Sequence, residues 1–241
     1  MLLEVCVDSA ESAILAEKGG AKRIELCSVL ELGGLTPSVG LLQEVKKHVR
    51  IPVFCMIRCR SGDFFYNSYE ISTMVSDAQE LSKHGADGFV FGFLDRNKAL
   101  DINSCELLIK SLSKDYPCTL HRAFDFITNV SGTLRTVRQI GFSRILTTGG
   151  GPDVSSSFDE LKMLLTQSEE VGITILPGGG VNESNVAILK EMGFKEVHSS
   201  CSVYSYDGDY GTLFNNPLPN GKRKIVCLDK VETMCEKLNA V

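Results

Sequence analysis

The chain has 241 residues, of which 43% are hydrophobic and 23% charged. That is an ordinary globular balance with enough apolar side chain for a sizeable core, and it excludes disordered and fibrous classes. The formal net charge is −5 and the basic residues form no block beyond Lys222-Arg223-Lys224, so a nucleic-acid partner is not expected.

No apolar run reaches the ~18 residues of a membrane span. The sequence opens Met1-Leu2-Leu3-Glu4 and carries nine cysteines, with no charged, apolar and small-residue series of the kind that directs secretion. The expectation is a cytoplasmic protein whose thiols stay reduced, not a disulfide framework.

In chain order, apolar runs of strand length fall at 3–7, 23–27, 53–58, 88–94, 119–124, 144–148, 173–176 and 196–200. Segments of helical periodicity follow them at 10–18, 39–49, 71–84, 105–114, 132–140, 158–170, 186–192 and 230–238. Gly20, Gly85, Gly141 and Gly193 each close a helix just before a strand, as residues free to take positive φ do. Ile51-Pro52 and Tyr116-Pro117 announce the third and fifth strands. Thr36-Pro37 predicts the cap and first turn of the second helix, and Asn182 the start of the seventh.

Eight βα units with nearly continuous apolar strands need a parallel sheet covered by helices, and closing that sheet removes its edges. The sequence therefore predicts an α/β fold, a single-domain (β/α)8 TIM barrel over 1–241. A doubly wound open sheet has a weaker claim, since no G-x-G-x-x-G follows the first strand. Residues 201–228, rich in Tyr, Asp, Gly, Asn and Pro, read as a long loop before the final helix.

Several strands carry polar residues that a buried strand should not. Alternation puts Glu4, Cys6 and Asp8 on one face of the first strand and Glu25 with Cys27 on one face of the second, opposite Val5, Val7, Ile24 and Leu26. The same parity sends Met56, Arg58 and Arg60 inward from the third strand, His121 and Asp125 from the fifth, Thr147 from the sixth, and His198 with Ser200 from the eighth. Barrel active sites form where strand C-termini meet. A neutralising ion network of Glu4, Glu25 and Arg58 would be one explanation; a catalytic set also accounts for His121 and His198.

Glycine runs at Gly149-Gly150-Gly151 and Gly178-Gly179-Gly180 place bare N–H groups at the same mouth. With Thr147, Ser199 and Ser200 they predict an anion site at Thr147, Gly149, Gly179, Gly180, Ser199 and Ser200, although tight turns alone also call for glycine. No His-Glu-x-x-His, Cys-x-x-Cys or EF-hand loop is present. Cys55 and Cys59 face the helices as packing. Cys6 and Cys27 repeat a Glu-x-Cys pattern on strands about 4.8 Å apart. They are either two soft thiolates for one Cu(I) or two small buried hydrophobes.

Taken together, Glu4-Val5-Cys6-Val7-Asp8-Ser9, Arg23-Ile24-Glu25-Leu26-Cys27, Met56-Ile57-Arg58, His121-Arg122-Ala123-Phe124-Asp125, Arg144-Ile145-Leu146-Thr147 and Pro177-Gly178-Gly179-Gly180 resemble the CutC copper-homeostasis family. That resemblance implies a cytoplasmic homo-oligomeric barrel with a role in Cu(I) binding. The chain departs from the family's Met-Ile-Arg-Pro-Arg by reading Met56-Ile57-Arg58-Cys59-Arg60, which removes a rigid proline and adds a thiol near the mouth.

Two functions compete. In one, Cys6 and Cys27 take Cu(I), with Met56 as a third soft contact. In the other, the barrel is an enzyme for a small phosphorylated or carboxylated substrate. Its catalytic set is Glu4, Glu25, Arg58, His121, Asp125 and His198: Glu4 or Glu25 as base, His121 or His198 as acid, Arg58 as anion clamp.

Overall fold

Eight short strands run parallel in the computed structural model, which describes residues 1–206 and 222–240. They are β1 (Leu2–Val7), β2 (Arg23–Leu26), β3 (Val53–Met56), β4 (Gly88–Phe91), β5 (Cys118–Leu120), β6 (Phe142–Thr147), β7 (Thr174–Pro177) and β8 (Glu196–Ser199). Each pairs with its sequence neighbour and β8 returns to β1. A single parallel bridge between Gly178 and His198 brings β7 to β8 and closes the ring as a TIM barrel.

Helices α1 (Ala10–Lys18), α2 (Val39–His48), α3 (Ser68–Lys83), α4 (Ile102–Ser111), α5 (Val130–Gln139), α6 (Phe158–Val171) and α7 (Val186–Glu191) cover the outside, followed by α8 (Leu228–Asn239). Outward strand residues Val5, Val7, Ile24, Leu26, Ile145, Ile175 and Val197 share one buried core with helix residues such as Ala13, Leu42, Val45, Met74 and Leu161. Each such side chain contributes about 1.5–3 kcal/mol on burial, so this outer layer supplies most of the drive to fold.

The glycines that close helices behave as their chemistry requires. Gly20, Gly85, Gly141 and Gly193 take φ between +98° and +111°, where a Cβ would be strained.

Helix starts differ in detail. Ser38, not Thr36, caps α2, its Oγ accepting from Leu41 N at 3.0 Å. Thr36 is instead tied to the end of β3, its Oγ1 accepting from Arg58 N at 2.9 Å. Asn182 sits one turn before α7 and accepts from Ser184 N, while Asn185 stands at the cap.

β3, β4 and β5 stop two to four residues short of their apolar runs, β4 at Phe91. β3 stops at Met56, where Arg58 N is taken by the Thr36 hydroxyl. β5 stops at Leu120 because Arg122–Phe126 winds into a 3-10 turn.

The segment expected as a loop from 201 begins and ends as an antiparallel ribbon of β9 (Ser202–Tyr206) and β10 (Lys222–Val226). Its centre, 207–221, lies outside the described residues. Val226 N donates to Ser12 Oγ at 3.2 Å, which anchors the ribbon on α1.

Inside the barrel, Gly88 lies in register with Phe54. A Cβ there would come within 2.7 Å of the Phe54 ring and of the Pro117 carbonyl. Gly88→Ala is therefore expected to lower stability by about 1–3 kcal/mol through overpacking. A fall in the urea midpoint with an unchanged slope would show it, and an unchanged midpoint would refute it.

Candidate functional site

The inward residues form layers, and the lowest is an ion network. Arg23 Nε is bonded to Glu4, Arg23 Nη2 lies 2.5 Å from Glu196 and Arg144 Nε lies 3.2 Å from the same carboxylate. Both guanidinium carbons stand 5.1 Å from the Phe54 ring centroid. Two cations and two carboxylates thus neutralise one another on an aromatic floor, as buried charges must. Of the three residues expected in such a network, only Glu4 belongs to it. Arg23, Arg144 and Glu196 were missed, although each lies two residues before an inward position on its own strand.

Above the floor, Glu4 Oε1 lies 2.7 Å from His198 Nδ1, and Glu25 Oε2 lies 3.5 Å from the same nitrogen. Burial disfavours charge on Glu4, but Arg23 and the His198 hydrogen bond hold its pKa down at about 2. Glu25 has only the longer contact to His198 and no arginine of its own, and burial outweighs that contact and pushes its pKa up to about 7. Burial opposes a proton on His198, yet Cys6, Glu25 and Glu4 around it raise its pKa well above the ordinary imidazole value. Glu4, Glu25 and His198 offer donor atoms within 4.8 Å of one another, a harder set than Cu(I) prefers.

The mouth opens into a cavity of about 550 Å³. Cys6, Glu25, Met56, Arg58, His121, Leu146, Gly179, Gly180, His198 and Ser200 line it from seven strands or the loops that follow them. Lys224 reaches it from β10.

Arg58 is mostly spent on backbone. Its Nη1 donates to Leu32 O at 3.0 Å and Gly34 O at 3.3 Å, and its Nη2 to Gly62 O at 2.8 Å, with the guanidinium 5.0 Å above the Phe64 ring. It therefore pins the β2–α2 and β3–α3 loops together, while Nε keeps no hydrogen-bond partner and is free for a ligand.

His121 Nδ1 accepts from Ala123 N at 3.2 Å, so its proton sits on Nε2. Burial and the neighbouring Arg58 charge lower its pKa to about 3, which keeps the ring neutral. Among the described residues, Glu25 Oε2, Arg58 Nε and His121 Nε2 are buried without a hydrogen-bond partner.

Other expected site residues turn elsewhere. Thr147 shares parity with Ile145 of the outer core, and it is Leu146 that lines the cavity. Asp125 accepts from the Thr147 hydroxyl, from Thr148 N and Oγ1 at 3.1 Å each, and from Arg122 Nε at 2.9 Å. It ties the 3-10 turn to β6 and, with Thr147 and Gly149, borders a separate cavity of about 350 Å³. Ser199 donates to Val181 O at 2.7 Å and faces the helices.

Arg60 pairs with Glu70 and Asp63 away from the mouth, and Cys59 packs against the outer core. Asp8, at the end of β1, accepts from Leu30 N at 3.3 Å and so holds the β2–α2 loop.

The two Glu-x-Cys patterns are not side by side. Glu4 pairs with Arg23 and Cys6 with Glu25, so Cys27 lies two residues farther toward the mouth than Cys6. Cys27 is fully buried with Phe54, Met56 and Val90, donates to Val7 O at 3.5 Å, and has its thiol pKa raised well above 9 by burial.

His121 makes acid stability testable. An unfolded chain takes up a proton near pH 6.5 that the folded ring refuses until about 3, so stability is complete above 6.5 and falls as pH drops through that window. The slope from this group is about 1.4 kcal/mol per pH unit. Glu25, which gains a proton on folding in the same window, gives a slope of opposite sign, so the difference is what tests His121. In urea denaturation from pH 7 to 5, His121→Asn should gain stability relative to the unaltered chain as pH falls, and equal slopes in both proteins would refute the assignment.

Comparisons with known proteins agree on the family. A family model described as the CutC family matches residues 1–203. A copper homeostasis protein cutC homolog of Mus musculus is 44% identical over 216 residues, covering 89% of this chain and 78% of its own length. The Homo sapiens homolog is 44% identical with 89% and 77% covered. A crystal structure described as that of the putative copper homeostasis protein CutC from Streptococcus agalactiae superposes with a TM-score of 0.78 at 30% identity, over 83% of this chain and 98% of that one. With the barrel, the motifs and the sequence match in agreement, this chain belongs to the CutC family.

Proposed function

We propose that the chain serves copper homeostasis by holding Cu(I) as cargo on the sulfur-lined side of the mouth. Cys6 and Cys27 are the thiolate ligands in this reading and Met56 is a third soft contact. The observation that carries it is the convergence of sulfur-bearing side chains from three adjacent strands. A Cβ placed on Gly34 would meet Met56 Cε at 3.3 Å and Cys27 Sγ at 3.4 Å, while Cys6 and Met56 line the same cavity. Thiolate and thioether donors suit Cu(I).

The register offset means that the two cysteines approach the ion from successive levels of the barrel. Binding must displace the Cys27 proton, so affinity rises with pH. Nine free thiols fit a reducing cytoplasm, and the assembly is taken as a homo-oligomer.

Anaerobic Cu(I) titration against a chromophoric chelator should lose the tight site in Cys6→Ser and in Cys27→Ser, and keep it in Arg58→Ala. Unchanged stoichiometry in both cysteine variants would end this reading.

A second reading rests on a different observation, the three unpartnered buried atoms of Glu25, Arg58 and His121. Each costs on the order of 1–3 kcal/mol unless something pairs with it. They suit an acid–base enzyme for a small anionic substrate, with Glu25 as proton acceptor and the neutral His121 Nε2–H as donor. Arg58 then acts through its Nε and through the loops it pins.

Such a pocket should give thermal stabilisation with small phosphorylated or carboxylated compounds at millimolar concentration. The shift should persist in Cys27→Ser and vanish in His121→Ala; no shift with any anion would sink this reading.

A further inference from the structure

The cavity has a second charged end that neither reading assigns. Arg122 begins the 3-10 turn after β5, and its Nε is held by Asp125. Its guanidinium lies against Gly179, whose built Cβ would stand 3.4 Å from Arg122 Cζ and Nη1. Gly179 and Gly180 take φ of +96° and +85°, so the missing side chains both permit the turn and leave room for the cation beside bare backbone.

Lys224 and Ser200 line the same cavity, and Lys224 Nζ is placed 5.5 Å over the Tyr204 ring. The Asp125 carboxylate is bound to one edge of Arg122, and the hydroxyl and backbone amides add no further negative charge. At the inner end, His121 Nε2 and Arg58 Nε offer two donors and Glu25 Oε2, 3.5 Å from His198, one acceptor, all without a hydrogen bond on side chains at most 6% exposed.

We propose that Arg122, Lys224, Ser200 and the Gly179-Gly180 backbone form a phosphate clamp, and that the cavity takes a small sugar phosphate with its hydroxyl or carbonyl head at Glu25, Arg58 and His121. The proposal rests on the acid–base reading and names its substrate class. A dianionic phosphate matches a guanidinium, an ammonium and backbone N–H groups. The loops after strands seven and eight are a common place in this fold for such a group. A polyhydroxylated head matches a wall that both donates and accepts, because each hydroxyl does both. A cavity of about 550 Å³ accommodates such a molecule.

Binding of ribose 5-phosphate, ribose, inorganic phosphate and malonate to the full chain would be measured by calorimetry, with phosphorus NMR for the phosphates. Ribose 5-phosphate should bind and ribose should not, while inorganic phosphate should bind more weakly. Arg122→Ala and Lys224→Ala should each weaken ribose 5-phosphate at least tenfold, with the circular-dichroism spectrum and Cu(I) stoichiometry unchanged. Lys224→Ala keeps the test open if losing the Arg122–Asp125 pair disturbs folding.

Malonate binding with no phosphate binding, or ribose 5-phosphate binding unaltered in both variants, overturns the clamp and leaves the acid–base reading standing. Absence of binding by all four overturns both.

Discussion

Arg23 and Arg144 lie over the face of Phe54 and share Glu4 and Glu196 between them. Everything above depends on that floor. Four charges in a barrel interior carry a large desolvation cost, and only mutual pairing with an aromatic base under both cations offsets it. Because Glu4 is committed to Arg23, it stays ionised and holds His198 by a hydrogen bond. Glu25, one pleat higher and with no arginine paired to it, is driven toward protonation by burial despite His198 at 3.5 Å. Two glutamates in like sequence contexts thus acquire opposite character from the layer each occupies.

The mouth above the floor is shaped by backbone as much as by side chains. Val29 is held at φ 52° in the β2–α2 loop, an uncommon place for a β-branched residue. The same loop presents the Leu32 and Gly34 carbonyls to Arg58. Arg58 thereby serves first as a strut between two loops, and its stacking on Phe64 helps to fix the wall next to His121. Cys59, next to Arg58, packs its side chain against the outer core and takes no part in this arrangement.

Hard and soft donors share one cavity and mix at its inner end, where Cys6 and Met56 stand beside Glu25, Arg58 and His198. Cys6, Cys27 and Met56 come from β1, β2 and β3, whereas His121 and Arg122 follow β5, Gly179 follows β7, Ser200 follows β8, the neighbour of β1, and Lys224 stands on the ribbon. A soft monovalent ion and a phosphate dianion have no donors in common. Cu(I) and a phosphate would therefore be held by different side chains of one cavity, with Glu25 and Arg58 bordering both.

The sequence by itself determined the eight βα units and the inside-or-outside sense of residues within each strand, because alternation is a property of one chain segment. Glu25, Met56, His121 and His198 could all be placed in the interior on that basis. Only the tertiary structure decided how neighbouring strands slide past each other, which set Cys6 opposite Glu25 and raised Cys27 by one level. It also decided where parity ends. The 3-10 turn at Arg122–Phe126 swings Asp125 to Thr147 and Thr148, and β6 presents Leu146 inward in place of Thr147. Arg122 and Lys224 reach the mouth from a turn and from a ribbon far along the chain, positions that no period within a strand encodes.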